Sequence, residues 1–553
     1  MNIVMSDLLF SKRWWLALVT LFAVSVPVRS ADVLPSNRRI DWSFAGVPGG
    51  IPYRTTIYQT LSPGATAAQI NTALANCPSN QVVFLNAGTY SLSSKLSIAR
   101  NGVTLRGAVD SSGMSATILN FSSGASGDGL IDIPGSYPDN NSWSGVSTAS
   151  ISSGYSQGST SINLSSTPSG LVPGYIMVID QLTDEVKVRN QTTEQGSGTW
   201  GGRNGNRGYC QFVRVKSVNG TSVTFEPPLY GNYWTASLSP QIYWWGRSTM
   251  RSGIEDLQVN RPAGGAAVHN LHMTLADSCW VRNVKSRQCD QGMVRAAWTL
   301  NCEIRDCYFS LHDSVGSATY SIFLTYCGSA LAQNNIGYIT PCFIGMGQVM
   351  GSVVAYNYAT NFPYSVSSWL PECVMLHGGH NYYNLFEGNI APSFWADIIH
   401  GNASYITVHR NKFTGWEPGK TGSLSPANMD EAQDYFSFMG NVLGTSGVQG
   451  SYGSIWNINS ASLSTVVRKG NYNTVNNGIP STEALGSDTL STSYYLSTRP
   501  SWFGSCPWPP IDPSSPASAL PTNTPAGYRF VFGKFPTAPA RPAPPTNLRV
   551  VAQ

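Results

Sequence analysis

Two stretches of the chain carry histidines in nearly the same setting. The segments "CVMLHGGHNYYNLFEGNI" (373–390) and "DIIHGNASYITVHRNKF" (397–413) each contain a His-Gly pair followed by a strand-like run and an asparagine. Their first histidines, His377 and His400, are 23 residues apart. An imidazole has an ordinary pKa of about 6.5, so it can accept or donate a proton near neutral pH. We therefore predict that both histidines are acid–base groups.

Other polar residues of the same two stretches could share this chemistry. A carboxylate can serve as an acid, a base or a nucleophile, and an arginine can neutralise a negative charge. Each of these residues also has a purely structural alternative, because stacked polar side chains decorate the outside of any repetitive β-structure. Glu387, two residues before Asn389, could be an ordinary exposed position, and His269 and His409 fit a structural role best. The predicted catalytic residues are His377, His400, His380, Asp397, Glu387 and Arg410.

Aromatic residues near these histidines indicate a sugar ligand. The segment "NFPYSVSSWLPE" (361–372) places three rings just before His377. Aromatic rings stack on the apolar faces of sugars, while polar residues read the hydroxyl groups. The alternative is a core role, but Trp369 lies in a serine-flanked loop and fits a core poorly. The predicted substrate-binding residues are Trp369, Tyr364, Tyr382, Tyr383, Trp395, Trp416, Asn402, Arg295 and His272.

A repeated Asn or Asp explains how residues distant in sequence could meet. Short segments that end in Asn or Asp plus an apolar residue recur at intervals of 22 residues or more. A coil of constant circumference with loops inserted at one corner gives such a minimum. Asn and Asp tolerate the left-handed backbone needed at a sharp bend, and stacked side chains can hydrogen-bond along a ladder. We predict an all-β parallel β-helix with one ladder through Asp256, Asn283, Asp306, Asn335, Asn357, Asn389, Asn411, Asn441 and Asn471.

One N-terminal phrase resembles a known superfamily. The segment "QVVFLNAGTYSLSSKLSIARNGVTLRGA" (81–108) is similar to the opening coils of right-handed parallel β-helix proteins of the pectate-lyase-like superfamily. The resemblance covers residues 65–125 and 250–475 and implies a single-stranded right-handed parallel β-helix. That superfamily includes lyases, hydrolases, epimerases, esterases and phage adhesins. The sequence motifs that carry the catalytic residues of pectate lyases and polygalacturonases are missing here, so those residues cannot be transferred.

The repeat also predicts where the candidate residues stand. Counting back 11 or 12 residues from each ladder position gives one column of equivalent positions on neighbouring strands. Strands in a sheet are about 4.8 Å apart, so His377 and His400 should lie within one or two such spacings. The groove should be walled by 361–372 on one side and by 415–434 on the other. The column contains His272, Arg295, Phe323 or Leu324, Gly345 or Met346, His377, His400 and Asp430.

The remaining segments indicate export and an inserted subdomain. Lys12 and Arg13 precede the apolar run "WWLALVTLFAVSVPV" and the small residue Ser30, which is typical of a signal peptide, with a retained membrane anchor as the alternative. We therefore expect a secreted or periplasmic protein with no membrane association after cleavage. The predicted segments are the signal peptide (1–30), an N-terminal cap with the first coils (31–134), an inserted β-rich subdomain (135–250), the main coils with the groove (251–480) and a proline-rich tail (481–553).

Composition narrows the possible partners. The net charge is only +4 over 553 residues, and no basic run stands out, so nucleic acid is not an expected partner. The ten cysteines lack the paired spacing of a zinc site, and we predict buried thiols, with one or two disulfides as a variant of that prediction. Calcium prefers clustered oxygen ligands, and the sequence has no compact acidic cluster, so no metal is predicted and calcium stays open. We expect a monomer.

Three functions of different classes fit these observations. The first is a polysaccharide lyase acting on a uronate-containing glycan by β-elimination, with His377 and His400 as base and acid. Arg295 could neutralise the uronate carboxylate, but it counts four coils away, so Asn402 and Arg410 are nearer candidates. The second is a glycoside hydrolase, which needs two carboxyl groups at a defined separation. The third is a non-catalytic carbohydrate-binding protein or adhesin. The carboxyl candidates for hydrolysis are Asp397, Glu387, Asp430 and Glu372.

Overall fold

Three long parallel sheets wind around one core. The computed structural model describes residues 32–135, 146–184, 202–246, 248–316 and 319–536. A complete coil of the chain contributes one strand to sheet 1, one to sheet 2 and one to sheet 3. Within each sheet, every strand is parallel to the strand that it pairs with in the next coil. The predicted right-handed parallel β-helix is therefore confirmed. The predicted signal peptide lies outside the described residues.

The strands are short, as expected when three strands and three bends share about 22 residues. Sheet 1 consists of Ile57–Leu61, Gln81–Leu85, Val103–Gly107, Gly253–Glu255, Trp280–Arg282, Glu303–Arg305, Leu331–Gln333, Val353–Ala355, Leu385–Glu387, Thr407–His409, Ser437–Met439 and Val467–Lys469. Sheet 2 consists of Gly88–Leu92, Thr117–Phe121, Leu257–Asn260, Lys285–Arg287, Tyr308–Ser310, Ile336–Tyr338, Tyr358–Thr360, Ile390–Ala391, Lys412–Phe413, Val442–Leu443 and Tyr472–Asn473.

Sheet 3 has the longest strands of the coil. Its main strands are Leu96–Ser97, Gly129–Ile133, His269–Thr274, Gly292–Leu300, Tyr320–Gly328, Cys342–Met350, Val374–Gly378, Phe394–His400, Ala427–Met429 and Trp456–Ile458. Four short strands extend it, namely Thr249–Met250, Ala276–Asp277, Asn381–Tyr382 and Ala403–Ser404. The α-helices are Ala67–Asn76, Tyr452–Ile455, Ser460–Leu463 and Pro525–Phe532. Single 3-10 turns cover Ser36–Arg38, Trp42–Phe44, Ala236–Leu238, Ser481–Glu483, Ser501–Phe503, Pro516–Ser518 and Pro521–Asn523.

Apolar side chains from all three sheets fill the interior. In one coil, Phe386 of sheet 1 and Phe394 of sheet 3 place their ring centroids 5.2 Å apart in an edge-to-face contact. The helix Ala67–Asn76 closes the N-terminal end, and its buried face includes Ile70 and Leu74. A capping box between Thr66 and Gln69 satisfies the first backbone donors of this helix. Burial of the apolar faces supplies most of the driving force for such a stack.

Six buried asparagines form a continuous ladder at the bend between sheets 1 and 2. The Nδ2 of each of the first five donates to the Oδ1 of the next asparagine at 2.8–3.1 Å, and the same Oδ1 accepts the backbone N–H of the preceding asparagine. The Nδ2 of the last, Asn471, donates to Glu483 Oε2 at 2.9 Å. Every buried amide of the ladder therefore has partners on both sides, which a dry interior requires. The ladder consists of Asn335, Asn357, Asn389, Asn411, Asn441 and Asn471.

The prediction of one ladder from Asp256 onward is wrong in its first three members. The strand register aligns Arg282 and Arg305 with Gln333, so Asp256, Asn283 and Asp306 stand one position before the ladder, in a neighbouring column. These three residues adopt the left-handed backbone, with φ of 59°, 51° and 59°. In later coils the left-handed position is taken by the residue before the asparagine, for example Gly388 with φ of 68°. The ladder asparagines thus contribute through their side chains, while the residue before each adopts the left-handed backbone, which is a glycine at 388, 440 and 470.

The predicted inserted subdomain contains a closed antiparallel barrel. Its strands, in barrel order, are Ile176–Gln181, Tyr209–Asn219, Ser222–Glu226, Ser161–Leu164, Ser147–Ser153 and Gln241–Trp244. The chain leaves the coil after Gly129–Ile133 and returns to it before Gly253–Glu255. Arg214 of the barrel binds the buried Asp277 of the coil, with Nε 2.7 Å from Oδ2, and also reaches Asn301 at 3.1 Å. A buried bidentate pair of this kind fixes the orientation of the barrel on the coil.

The N-terminal segment packs on the outer face of sheet 1, and the C-terminal segment packs on sheet 1 and on the later coils of sheet 2. Trp42 is fully buried and donates from Nε1 to the carbonyl of Tyr383 at 2.7 Å. On sheet 2, the helix Pro525–Phe532 places Phe530 5.1 Å from the ring of Tyr358. The described part of the predicted proline-rich tail is therefore a packed cover. Its last residues, 537–553, lie outside the described residues.

The cysteines agree with the predicted buried thiols. All ten cysteines are buried and none of them is in a disulfide in the described structure, so buried thiols are confirmed and the variant with bridges is not observed. No helix within the described ranges is long and apolar enough to cross a membrane.

The ladder yields a stability prediction. Replacing Asn389 by Ala removes the acceptor of the Asn357 N–H and leaves several buried polar groups without partners. Because one unsatisfied buried group costs about 1–3 kcal/mol, we expect a loss of about 3 kcal/mol or more in the free energy of unfolding. Asn120→Ala is the matched control, since its amide accepts from Asn260 at the exposed surface, and it should cost about 0.5 kcal/mol or less. Denaturant unfolding measures both, and equal costs would contradict the ladder's role.

Candidate active site on the outer face of sheet 3

The outer face of sheet 3 carries polar side chains that the terminal segments do not cover. Along its strands the side chains alternate between the core and the outside, so Leu376 and Ala396 point inward while His377 and Asp397 point outward. Half-buried outward residues here include His377, Trp395 and His400. On sheet 1, by contrast, the outward Glu387 is only 1% exposed. Sheet 3 is thus a face on which a large ligand can reach the polar groups around His377.

His377 and Asp397 form the central pair of this face. His377 Nδ1 lies 2.7 Å from Asp397 Oδ2, across two neighbouring strands. The other carboxylate oxygen accepts the backbone N–H of Ile399 at 3.0 Å, which holds the carboxylate in place. An ionised carboxylate only accepts hydrogen bonds, so the imidazole proton lies on Nδ1 and the Nε2 lone pair faces away from Asp397. This arrangement presents an oriented base to the outside of the sheet.

His400 stands directly beside this pair. The ring centroids of His377 and His400 are 4.7 Å apart with an interplanar angle of 81°, so the predicted proximity of the two imidazoles is confirmed. The cause is a register shift, because Leu376 pairs with Ala396 whereas Gly378 pairs with His400. The strand Phe394–His400 therefore contains two extra residues between these pairs, and these bring His400 beside His377 of the neighbouring strand. Bulges of this kind often redirect side chains at sites.

Glu372 and Tyr320 complete the surroundings of the pair. Burial raises the pKa of Glu372, and the negative charge of Asp397 raises it further, while His377 acts in the opposite direction. Burial also raises the pKa of the Tyr320 hydroxyl, with added contributions from Cys342, Asp397 and Glu372. Both shifts favour the protonated form, so these two groups are the proton donors that this face offers. Groups with shifted pKa values beside a histidine–carboxylate pair are a frequent signature of acid–base sites.

Tyr320 was not predicted from the sequence, and Glu372 was considered only as a hydrolase carboxyl group. Tyr320 is the first residue of the strand Tyr320–Gly328. Its ring stacks on that of Phe323, with the ring centroids 4.4 Å apart, and lies over Gly345 of the next strand. A Cβ at Gly345 would lie 2.4 Å from this ring, so the glycine makes room for it. The pairing of Gly345 with Phe323 could have signalled this placement, since a glycine in a strand often marks a close approach.

Two other predicted catalytic residues, His380 and Glu387, lie away from the pair. His380 is fully buried against the barrel, where a Cβ on Gly208 would lie 2.1 Å from its ring, and burial lowers its pKa to about 4. Glu387 is on sheet 1 and accepts from the Tyr356 hydroxyl at 2.6 Å and the Tyr494 N–H at 2.8 Å. We therefore do not include these residues in the site.

Arg410 and Asn402 have structural partners. Arg410 donates to the carbonyls of Ser491 and Ile511 at 2.9 and 3.1 Å, so it holds the C-terminal cover on sheet 1. Asn402 is buried and donates to the carbonyl of Ala432 at 2.8 Å, at the bend after sheet 3. Neither residue faces His377 on the outer surface of the sheet. The hypothesis that they neutralise a substrate carboxylate therefore has no geometric support.

The predicted column through Arg295 takes a different course. The register runs from His272 through Arg295, Phe323 and Gly345 to Met375, and then to Trp395. Arg295 thus shares the outer face with His377 but lies three strands away from its strand instead of four, or about 14 Å. Burial, followed by the charge of Arg295, lowers the pKa of His272 to about 3.

The predicted aromatic residues separate into three groups. Trp395 lies in the outer column of sheet 3 next to Asp397, where it can contact a ligand. Tyr382 and Tyr383 are buried at the barrel and the N-terminal segment, so they belong to the packing of the coil. Tyr364, Trp369 and Trp416 lie in the two long loops between sheets 2 and 3.

These two loops form one wall and not two opposite walls. The carboxylate of Glu417 accepts the N–H groups of Asn361 and Phe362 at 2.6 and 2.8 Å. Lys420 donates to the carbonyls of Ser367 and Trp369 at 3.0 and 2.9 Å. The predicted arrangement with 361–372 and 415–434 on opposite sides is therefore wrong, because both segments leave the coil at the same corner. The barrel packs at the other ends of the sheet 3 strands.

Within the described residues, no group of three His, Cys, Asp or Glu side chains is arranged to hold a metal ion.

Comparisons with known proteins extend the fold assignment. Neither family models nor curated proteins match the chain. Among solved structures, the tailspike protein of Pseudomonas phage LKA1 has a TM-score of 0.50 and 19% identity, over 69% of this chain and 57% of the tailspike. A pectate lyase has a TM-score of 0.38 and 9% identity, over 84% of this chain and 94% of the lyase. An alginate lyase from Paenibacillus has a TM-score of 0.36 and 10% identity, over 69% and 94%. The chain spans 57% of the length of the tailspike, and this similarity supports the right-handed β-helix fold.

The position of Glu387 yields a prediction on stability and pH. Burial raises its pKa in the folded protein to about 7, from an ordinary value of 4.5. The unfolded chain therefore loses this proton at lower pH than the folded protein, so stability declines as pH rises from about 4.5 to about 7. Glu387→Gln removes this decline, and between pH 4 and pH 8 its free energy of unfolding should fall by about 3 kcal/mol less than that of the parent. Denaturant titrations across this range measure the difference, and parallel curves would contradict a buried, protonated Glu387.

Proposed function

We propose that the protein cleaves a polysaccharide on the outer face of sheet 3, by β-elimination at a uronate unit. The observation that carries this proposal is the His377–Asp397 pair at 2.7 Å, which orients an imidazole base outward beside a second imidazole. A base held in one tautomer by a carboxylate is the arrangement that proton abstraction requires. The predicted signal peptide suits this function, and we propose that the protein acts outside the cytoplasm.

The residues divide the steps of the reaction among them. His377 Nε2 removes the proton at C5, next to the uronate carboxyl group, and Asp397 stabilises the imidazolium that forms. The electrons of the C5–H bond form the C4–C5 double bond, and the bond from C4 to the glycosidic oxygen breaks. His400 in its protonated form returns a proton to that leaving oxygen. In this proposal Glu372 carries a proton, which it shares with the uronate carboxylate, and it so lowers the negative charge next to C5.

Glycoside hydrolysis is the second candidate, because a specific observation favours it. Burial, and after it the charge of Asp397, raise the pKa of Glu372, so the two carboxyl groups lie near one another and Glu372 is the one favoured as the acid. An acid and a base of this kind are what hydrolysis of a glycosidic bond requires. In that reaction Glu372 would protonate the leaving oxygen and Asp397 would activate water or attack the sugar. The third candidate function is a protein that binds a carbohydrate in the same groove without cleaving it.

The products distinguish these functions. We expect the purified mature protein, tested on polygalacturonate, alginate and glucuronan, to release new reducing ends together with an equal molar amount of ultraviolet-absorbing unsaturated sugar. The unsaturated sugar arises only if the C4–C5 double bond forms. Reducing ends without this absorption would replace elimination by hydrolysis. The absence of both signals on all three polymers would contradict an enzyme acting on uronates.

Variants of the central pair test the assignment of the base. His377→Ala should lower kcat by at least about 10²-fold, because general-base catalysis contributes about 10²–10⁴-fold. Asp397→Asn should also lower kcat strongly, since an amide can hold the imidazole in the wrong tautomer. Met375→Leu is the control, because Met375 is an outward residue on the same strand and leucine conserves its volume. Activity that survives in His377→Ala but not in Asp397→Asn would transfer the chemistry to the carboxylates.

A further inference from the structure

A cavity lies at the corner between sheets 2 and 3, outside the strands that carry His377 and Asp397. Its volume is about 520 Å³. It lies between the loops that follow Tyr358–Thr360 and Lys412–Phe413, and none of its lining residues belongs to sheet 3. The side chains that matter for its chemistry are Asn361, Tyr364, Ser367, Glu417 and Lys420.

The walls of this cavity are held in place without a ligand. Glu417 is 7% exposed and accepts three hydrogen bonds, from Asn361 N, Phe362 N and Thr360 Oγ1, at 2.6, 2.8 and 2.9 Å. Lys420 is 8% exposed and binds the carbonyls of Ser367 and Trp369. Two charged side chains thus brace one loop against the other. A cavity formed in advance avoids the entropy cost of ordering loops around a ligand.

The chemistry of the lining fits a sugar better than an ion or an apolar molecule. Glu417 and Lys420 carry opposite charges, so the cavity has no net charge that would select an anion or a cation. Tyr364 is half-exposed and offers a ring face, while Asn361 and Ser367 are exposed and offer an amide and a hydroxyl group. A ring with a few polar groups in a volume between about 300 and 1,000 Å³ is typical of small-ligand sites.

We propose that this cavity is a second glycan-binding site, which holds one or a few sugar units of a polysaccharide while another part of the same polymer lies on sheet 3. The identity of the polymer as substrate rests on the proposed function, but binding at the cavity does not require turnover. A polymer that engages two sites on one chain gains from the high effective concentration of the second contact, by about 10²–10⁴-fold over a single site in favourable geometry. The cavity would therefore retain long chains and leave short ones little affected.

The test uses the full mature chain carrying His377→Ala, so that bound glycans are not degraded. This protein is applied to an array of plant, algal and bacterial polysaccharides, and apparent affinities are measured for the glycans that bind. Tyr364→Ala should weaken binding by about three- to tenfold, the value of one ring contact. Ser367→Phe should weaken it as well, by filling the cavity. Val366→Ala is the matched control, because Val366 is exposed in the same loop and does not line the cavity, and it should bind like the parent.

The outcomes separate this site from the proposed function. Unchanged binding in both Tyr364→Ala and Ser367→Phe, with melting temperatures equal to that of the parent, would overturn the proposal. The same holds if Trp395→Ala alone removes binding, since the glycan would then lie only on sheet 3. It is also overturned if the parent binds no polysaccharide on the array. If binding depends on Tyr364 but the chain with His377 intact cleaves none of the polysaccharides, the second glycan-binding site stands and the proposed enzymatic function is wrong.

Discussion

A parallel coil works only if every turn of backbone lies directly beneath the next, and in this protein a stack of buried asparagines imposes that alignment. From Asn335 to Asn471, each amide spans two coils and also accepts a backbone N–H, so a shift of one residue in any coil would leave several buried polar groups without partners. The alignment is then transmitted through short strands to sheet 3. There it places Asp397 one strand from His377, at hydrogen-bond distance. The geometry of the candidate site is thus a consequence of the ladder.

The distribution of covers over the three sheets decides where a substrate can bind. The N-terminal segment with Trp42 and the C-terminal residues 484–536 bury outward residues of sheet 1 from Leu331 onward and of sheet 2 from Ile336 onward. Sheet 3 is instead bordered by the barrel at one side and by the two braced loops at the other. A rigid floor between two raised borders suits an extended polymer, and loops on a rigid scaffold are where binding residues concentrate. The same loops enclose the cavity proposed as a second glycan-binding site.

Local patterns in the sequence were sufficient for the fold and for the histidine pair, because both depend on spacing within one repeat. The 22-residue minimum predicted the coil, and the two His-Gly pairs predicted neighbouring imidazoles. Spacing within a repeat does not predict contacts between distant segments of the chain. Glu387 and Arg410 have the residue types of a catalytic site, yet segments 80–107 residues further along the chain cover them. His380 is likewise buried by the barrel, and no spacing within the repeat reports such long-range packing.

The most direct test of the account is a crystal structure of the His377→Ala variant with an oligosaccharide of the polymer that the protein binds. The account predicts sugar density along the outer face of sheet 3, with one linkage within hydrogen-bond reach of the position that the His377 Nε2 atom would occupy, and with Trp395 and Glu372 in contact with the flanking units. Sugar density confined to other surfaces, or a linkage beyond the reach of His377, Asp397 and His400, would contradict the claim that this face performs the chemistry.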